Sequence, residues 1–69
     1  MRLGKYLVSL TKSELESVKG ELNLSDDELL VFECLARGKS FIATADACKI
    51  STATLSNREK AIVKKLNRI

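Results

Sequence analysis

The sequence predicts a compact all-α domain of four helices, with a fifth if residues 3–10 also form one. Apolar residues recur at helical spacing along most of the chain, and no segment alternates apolar and polar residues as a half-buried strand does. Proline is absent, so the helices have to be separated by capping residues and glycines. With 69 residues, of which 45% are hydrophobic, the chain has enough apolar side chains for one small core.

The N-terminal part contains one clear helix start. Thr11 is followed three residues later by Glu14, which is the pattern of a capping box. The helix that follows has its apolar positions at Leu15, Val18 and Leu22. An earlier segment, which forms a turn or a separate helix, has apolar residues at helical spacing: Leu3, Tyr6, Leu7 and Leu10. We therefore interpret residues 1–23 as a helical extension that packs on the remaining domain or mediates dimerisation.

A second capping box begins the next helix. Ser25 and Glu28 have the required spacing, and the two aspartates between them lie at the positive end of the helix dipole. This helix should end near Arg37, because Gly38 is a typical C-terminal stop. Ser40 can then cap a short helix over residues 41–48.

The end of that short helix leads into a tight turn. Ala45 is small enough to let two helices approach closely where they cross, and Ile50 and Leu55 can fill the corner between them. Ser51 can cap a last helix that continues to about Asn67. This spacing is typical of a helix-turn-helix, so residues 24–69 are predicted to form such a domain.

Charge is distributed unevenly along the chain. Residues 1–48 contain six Lys/Arg and eight Asp/Glu, a net charge of −2, whereas residues 49–69 contain six Lys/Arg and one Glu, a net charge of +5. Such an asymmetry indicates that the C-terminal third binds a polyanion. The alternative is a solvated helix end, since Lys and Arg also favour the negative end of the helix dipole.

The last helix has two chemically different faces. At about 100° per residue, one face collects the apolar residues Leu55, Ile62, Leu66 and Ile69. The opposite face collects basic, amide, hydroxyl and alanine residues: Ala53, Ser56, Asn57, Lys60, Lys64, Asn67 and Arg68. That face contains no acid, and Glu59 lies at the margin of the apolar face. A face that is merely solvated would more often mix charge signs.

Four residues of this face suit contacts with base edges in the major groove of double-stranded DNA. Ala53 allows close approach and can touch a thymine methyl group. Asn57 can pair with adenine through two hydrogen bonds, and Lys60 can reach the acceptors of guanine. Ser56 can bond either a base or a phosphate. The alternative for each residue is simple exposure to solvent.

Four further residues suit the DNA backbone. Thr52 and Thr54 stand at the N-terminus of the last helix, where hydroxyl groups and the helix dipole favour phosphate oxygens. Lys64 and Arg68 lie toward its other end and are predicted to anchor phosphates. Double-stranded DNA is accordingly the expected main partner.

Composition argues against catalysis. The chain has no histidine, so a transition-metal site lacks ligands and a serine- or cysteine-type relay lacks its base. Cys34 and Cys48 fall where a helix would bury an apolar residue, and we interpret them as reduced core residues rather than as a disulfide. We expect no enzyme activity, no cofactor, no metal and no small-molecule substrate.

The sequence also predicts a cytoplasmic protein without a membrane partner. No run of apolar residues is long enough to span a bilayer. The apolar run near the N-terminus is too short and too interrupted for a signal peptide.

Residues 24–66 resemble the DNA-binding domain of the LuxR-type response regulators, a helix-turn-helix family related to region 4 of sigma factors. A Leu-Ala-x-Gly step followed by Ile-Ser-x-x-Thr is fairly specific in combination. The matching positions are Leu24, Glu28, Val31, Leu35, Ala36, Gly38, Ser40, Ala45, Ile50, Ser51, Thr54, Asn57, Ile62, Lys65 and Leu66. The resemblance implies a DNA-binding regulator of transcription, with Ser56, Asn57 and Lys60 at the base-contacting positions of the family.

The sequence departs from the family pattern at several positions. Lys49 stands where glycine is usual, at a position that tends toward a left-handed backbone, which costs a lysine on the order of 1 kcal/mol. Thr44 replaces a core isoleucine, and Glu59 replaces a common arginine. The sequence ends at Ile69, before the helix through which the family usually dimerises, so a dimer of the usual kind is not expected.

Leu29 and Leu30 occupy positions that are usually polar in the resembling family, so they predict an apolar patch. The apolar stripe Leu15, Val18 and Leu22 is the obvious cover for it. The cover comes either from the same chain or from a second chain, and these five leucine and valine residues are therefore the candidate partner or dimer surface.

Two functions follow from these observations. The first is a small sequence-specific DNA-binding regulator of transcription that uses the helix over residues 51–67 in the major groove, as a homodimer or with a larger regulatory partner. The alternative is a helical module similar to sigma region 4, or an adaptor, that binds a protein of the transcription machinery. The acid-free face of the last helix favours the first, and an exposed patch at Leu29 and Leu30 would favour the second.

Overall fold

A computed structural model describes residues 3–68 and confirms the all-α fold. Within these residues the chain forms five helices and no strand: α1 (Leu3–Val8), α2 (Lys12–Leu22), α3 (Asp26–Ala36), α4 (Phe41–Cys48) and α5 (Thr52–Leu66). The segment that was expected to form a turn or a helix is therefore a helix, α1. Ile69, which the sequence assigned to the apolar face of the last helix, lies outside the described residues.

All four predicted N-terminal caps are present. The hydroxyl oxygens of Thr11, Ser25, Ser40 and Ser51 accept hydrogen bonds from backbone N–H groups three residues ahead, at 3.1, 3.4, 3.1 and 3.1 Å respectively. At Thr11 and Ser25 a glutamate also accepts from the backbone N–H of the capping residue, which completes two capping boxes. Each cap stabilises its helix by about 1 kcal/mol.

Left-handed residues follow three of the helices. Gly38 (φ 84°) ends α3 as predicted, and Lys49 (φ 57°) ends α4 in the conformation that its position suggested. Both ends are closed by backbone bonds across the last turn, such as the 3.0 Å bond from the N–H of Ile50 to the carbonyl of Ala45. Asn23 (φ 52°) follows α2, and sequence reasoning did not identify it.

The core lies around α3, which packs against α1, α4 and α5. Its buried apolar residues come from all five helices: Leu3, Leu7, Leu22, Val31, Phe32, Leu35, Ala45, Leu55, Ile62 and Leu66. Leu3 and Leu7 of α1 are fully buried in this core. The short first helix is thus an integral part of the core.

The apolar stripe of α2 packs against this core, where Leu22 is buried and Leu15 and Val18 are partly buried. Leu29 is half-buried and borders a shallow groove beside α2. Leu30 lines a different, small pocket together with Ile50, and the residue is 47% exposed. That a second chain covers Leu30 stays a prediction.

Candidate nucleic-acid interface

The turn between α4 and α5 has the packing that the sequence predicted. Ala45 is only 4% exposed in the core that the two helices share, and Leu55 is fully buried in the corner, with Ile50 half-buried beside it. Thr44 is also fully buried, and its hydroxyl donates a 2.9 Å hydrogen bond to the carbonyl of Ser40. The threonine in place of a core isoleucine therefore leaves no unsatisfied hydroxyl.

The two faces of α5 separate as the helical wheel predicted. Leu55, Ile62 and Leu66 are buried, and Glu59 is half-buried at the margin. The opposite face is open to solvent at Ala53, Asn57, Lys60, Lys64, Asn67 and Arg68, and Ser56 is half-buried at its edge. We call Ala53, Ser56, Asn57 and Lys60 the reading strip. The fold brings these four side chains to one surface and leaves that surface uncovered within residues 3–68.

The two threonines at the start of α5 differ in their surroundings. Thr52 is exposed, whereas Thr54 is half-buried and its hydroxyl accepts a 3.0 Å hydrogen bond from the hydroxyl of Ser51. The basic residues Lys64 and Arg68 are exposed toward the other end of the helix.

Two ion pairs attach α5 to the first turn of α3, and sequence reasoning missed both. The ammonium group of Lys65 lies 2.6 Å from a carboxylate oxygen of Glu28, and the guanidinium group of Arg58 lies 3.1 Å from Asp27. Arg58 and Lys65 are seven residues apart, so they share a stripe of the helix. Two basic residues at this spacing, together with the adjacent acids Asp27 and Glu28, were the pattern from which the two ion pairs could have been predicted.

The Glu28–Lys65 pair changes the ionisation of the carboxyl group. The hydrogen bond from Lys65 lowers the pKa of Glu28 below its ordinary value, and the backbone N–H of Ser25 lowers it further. Because Lys65 already has a carboxylate partner, it is less available to DNA than the exposed cations of the same helix. The charge count along the chain does not make this distinction.

The two cysteines are free thiols, with Cys34 buried and Cys48 half-buried. Burial raises the pKa of Cys48, and the Cys34 thiol raises it further. Both effects favour the protonated thiol, which is a poor nucleophile.

Residues 3–68 form neither a metal site nor a membrane-spanning helix. No three His, Cys, Asp or Glu side chains converge as a metal site would require. No helix in this part of the chain is long and apolar enough to cross a membrane.

Two capped helices joined by a tight turn, with the second presenting an uncovered polar and basic face, define a helix-turn-helix domain. The family model of the bacterial regulatory proteins of the luxR family matches residues 22–68, which is most of the chain. The chain therefore belongs to the luxR family, whose shared domain is a DNA-binding domain of transcription regulators. No curated protein and no solved structure is similar enough to count as a match.

Proposed function

We propose that this chain is a regulator of transcription that binds double-stranded DNA sequence-specifically, with α5 in the major groove. The observation that carries the proposal is the exposed face of α5, which has basic, amide and small side chains and no carboxylate. Membership of the luxR family supports the same conclusion. We further propose that the protein acts in the cytoplasm, where bacterial DNA is found, and that it has no catalytic role.

The reading strip supplies the contacts with base edges. Asn57 hydrogen-bonds adenine through its amide, and Lys60 donates to the acceptors of guanine. Ala53 contacts a thymine methyl group, and its small side chain lets the helix approach the bases. Ser56, at the edge of the strip, bonds a base or the adjacent phosphate. The exposure of the other three residues supports these roles.

The remaining polar side chains of α5 hold the helix in register on the DNA backbone. Thr52 and Thr54 contact phosphate oxygens at the N-terminus, where the helix dipole adds to the attraction. Lys64 and Arg68 anchor phosphates at the other end. Such contacts position the protein without reading sequence.

A single domain with few phosphate contacts binds DNA weakly, so we propose that a homodimer or a larger regulatory partner provides tight operator binding. The candidate surface was Leu15, Val18, Leu22, Leu29 and Leu30. Since the first three pack on the core of the same chain, we now centre the proposed contact on Leu30. The extension formed by residues 1–23 then acts mainly as part of the DNA-binding domain.

A selection on random duplex DNA, followed by binding measurements, tests the proposal. Asn57→Ala and Lys60→Ala should each cost about 1–3 kcal/mol of binding free energy and relax the preference at one base pair. Lys12→Ala removes an exposed cation of α2 and is the matched control, with no expected loss of preference. If wild type shows no sequence preference, or if neither α5 variant changes it, the proposal is wrong.

A further inference from the structure

A second surface lies away from the reading strip, between α1 and the turn that joins α3 to α4. It is a groove of about 500 Å³. Its apolar lining comes from Gly4, Val8, Leu35, Gly38 and Phe41, and Lys5 and Lys39 stand on its rim. We call it the α1–α4 groove. None of the residues proposed to contact DNA lines it.

The centre of the α1–α4 groove exposes large apolar side chains. Val8 is 52% exposed and Phe41 is 36% exposed, although both belong to helices that pack on the core. Gly38 lies beside Val8, and its φ of 84° is a backbone conformation that favours glycine. Exposed apolar surface that is surrounded by polar residues is typical of sites that bind another protein.

The charges around the groove have mostly one sign. Lys5 and Lys39 are exposed on its rim, and Arg37 is exposed in the adjoining turn. Neither α1 nor the segment 37–42 contains an acidic residue. Glu59 touches the groove from α5 but is half-buried there. A ligand of this groove would therefore bind more tightly if it had carboxylates at its edges and an apolar group at its centre.

We propose that the α1–α4 groove docks an acidic segment of a partner protein. One bulky apolar side chain of that segment packs between Val8 and Phe41, and flanking carboxylates pair with Lys5 and Lys39. DNA fits this surface poorly, because phosphates can neutralise the lysines but leave Val8 and Phe41 exposed to water. The groove gives the domain a second, protein-directed contact that is separate from α5.

The groove is formed partly by residues outside the segment that the luxR-family model matches. The α1 wall, with Gly4, Lys5 and Val8, lies outside residues 22–68, which the family model covers. The α3–α4 turn alone supplies only one side. The packing of α1 on α3 therefore creates the site.

A synthetic fluorescent peptide tests the proposal with the full chain. The peptide carries one phenylalanine, with glutamates and aspartates on both sides of it. Binding is followed by anisotropy, and the contacted residues are mapped by NMR chemical shifts. The expected shifts cluster at Val8, Gly38 and Phe41. Val8→Asp should weaken binding about tenfold or more, as expected when a central apolar contact is lost.

Charge reversal gives an independent test. The double variant Lys5→Glu, Lys39→Glu should bind the acidic peptide more weakly than wild type does. It should instead bind a version of the peptide in which lysines replace the acidic residues. Two controls change exposed residues outside the groove: Ala47→Asp adds the same carboxylate on α4, and Lys12→Glu reverses another exposed lysine. Both controls should bind the acidic peptide as wild type does. Circular dichroism checks that every variant is folded.

Three results would overturn the proposal. The first is that the folded wild type does not bind the acidic peptide. The second is that the shifts map to α5 and that Lys60→Ala, rather than Val8→Asp, abolishes binding, which would mean simple charge attraction to the DNA-binding face. The third is a dimer in light scattering that Val8→Asp dissolves, since a second copy would then occupy the groove. DNA binding of Val8→Asp, measured separately, should equal that of wild type, so failure here leaves the DNA proposal intact.

Discussion

At the scale of single residues, Lys49 is the least favourable choice in the turn that sets the angle between α4 and α5. Its φ of 57° lies in the left-handed region, where a side chain with a Cβ atom is crowded by the backbone. Asn23 adopts the same region after α2. Asparagine tolerates it better because its short polar side chain can bond the backbone locally. Replacement by glycine should therefore stabilise the protein more at position 49 than at position 23.

Lys49→Gly should stabilise the domain by about 0.5–1 kcal/mol, because relief of backbone crowding exceeds the added entropy of the unfolded chain. For a domain of this size the melting temperature should rise by a few degrees, about 4–8 °C per kcal/mol. Asn23→Gly is the matched control and should give a smaller rise or none. Thermal unfolding followed by circular dichroism measures both. A loss of stability in Lys49→Gly would show that the lysine side chain makes a contact that outweighs the strain.

Glu28 is the residue through which pH should act on stability. Lys65 and the backbone N–H of Ser25 stabilise its carboxylate in the folded state, so its pKa there lies below the value of about 4.3 in an unfolded chain. The stabilisation is therefore complete above about pH 4.3 and is lost as the pH falls through the lower, folded-state pKa.

Glu28→Gln should lower the free energy of unfolding by about 1 kcal/mol at pH 7, because it removes the charge pair and keeps the acceptor of the capping box. The difference from wild type should shrink as the pH falls below about 4. Urea unfolding at several pH values measures it, and Glu16→Gln, on the exposed side of α2, controls for the loss of one negative charge. A difference that stays constant with pH would exclude the ion pair as its source.

At the scale of elements, the approach of α4 to α5 depends on one small side chain. Ala45 is 4% exposed, whereas Ala47 on the same helix faces solvent. Ala45→Leu should destabilise the domain by about 1–3 kcal/mol, because the added atoms force the two helices apart. Ala47→Leu makes the same chemical change and should alter stability by less than about 0.5 kcal/mol. Urea unfolding compares the two variants, and equal losses would mean that Ala45 does not set the crossing.

The elements also show what the sequence could predict. The four caps and the two faces of α5 depend on residues three to seven positions apart, and such local patterns are visible in the sequence. The packing of α1 on α3 is different, since Leu3 and Leu7 read as apolar residues with no stated partner. The Glu28–Lys65 pair joins residues 37 positions apart, which only the folded chain brings together. For the proposed DNA-binding site, the shared face of the candidate side chains on α5 was predictable, but the pairing of Lys65 with Glu28 was not.

At the scale of the whole molecule, the charge asymmetry along the chain becomes an asymmetry between surfaces. Acidic residues cluster in α2 and at the start of α3, whereas five of the six basic residues after residue 48 lie in or just after α5. Two of these, Arg58 and Lys65, pair with the acids of α3. Lys60, Lys64 and Arg68 remain exposed. If α5 binds DNA as proposed, these three exposed cations of α5 and its C-terminal end are the ones available to phosphates.

The salt dependence of DNA binding should reflect the number of exposed α5 cations that contact phosphates. Each phosphate that a cation neutralises contributes about 0.9 to the slope of log K against log salt concentration. Replacing both Lys64 and Arg68 with alanine should therefore reduce the slope by about 2 while leaving the base preference unchanged. Lys12→Ala with Lys19→Ala removes two cations from α2 and should leave the slope as it is in wild type. A reduced slope in the α2 pair would place the DNA across a different face of the molecule, and an unchanged slope in the α5 pair would remove Lys64 and Arg68 from the interface.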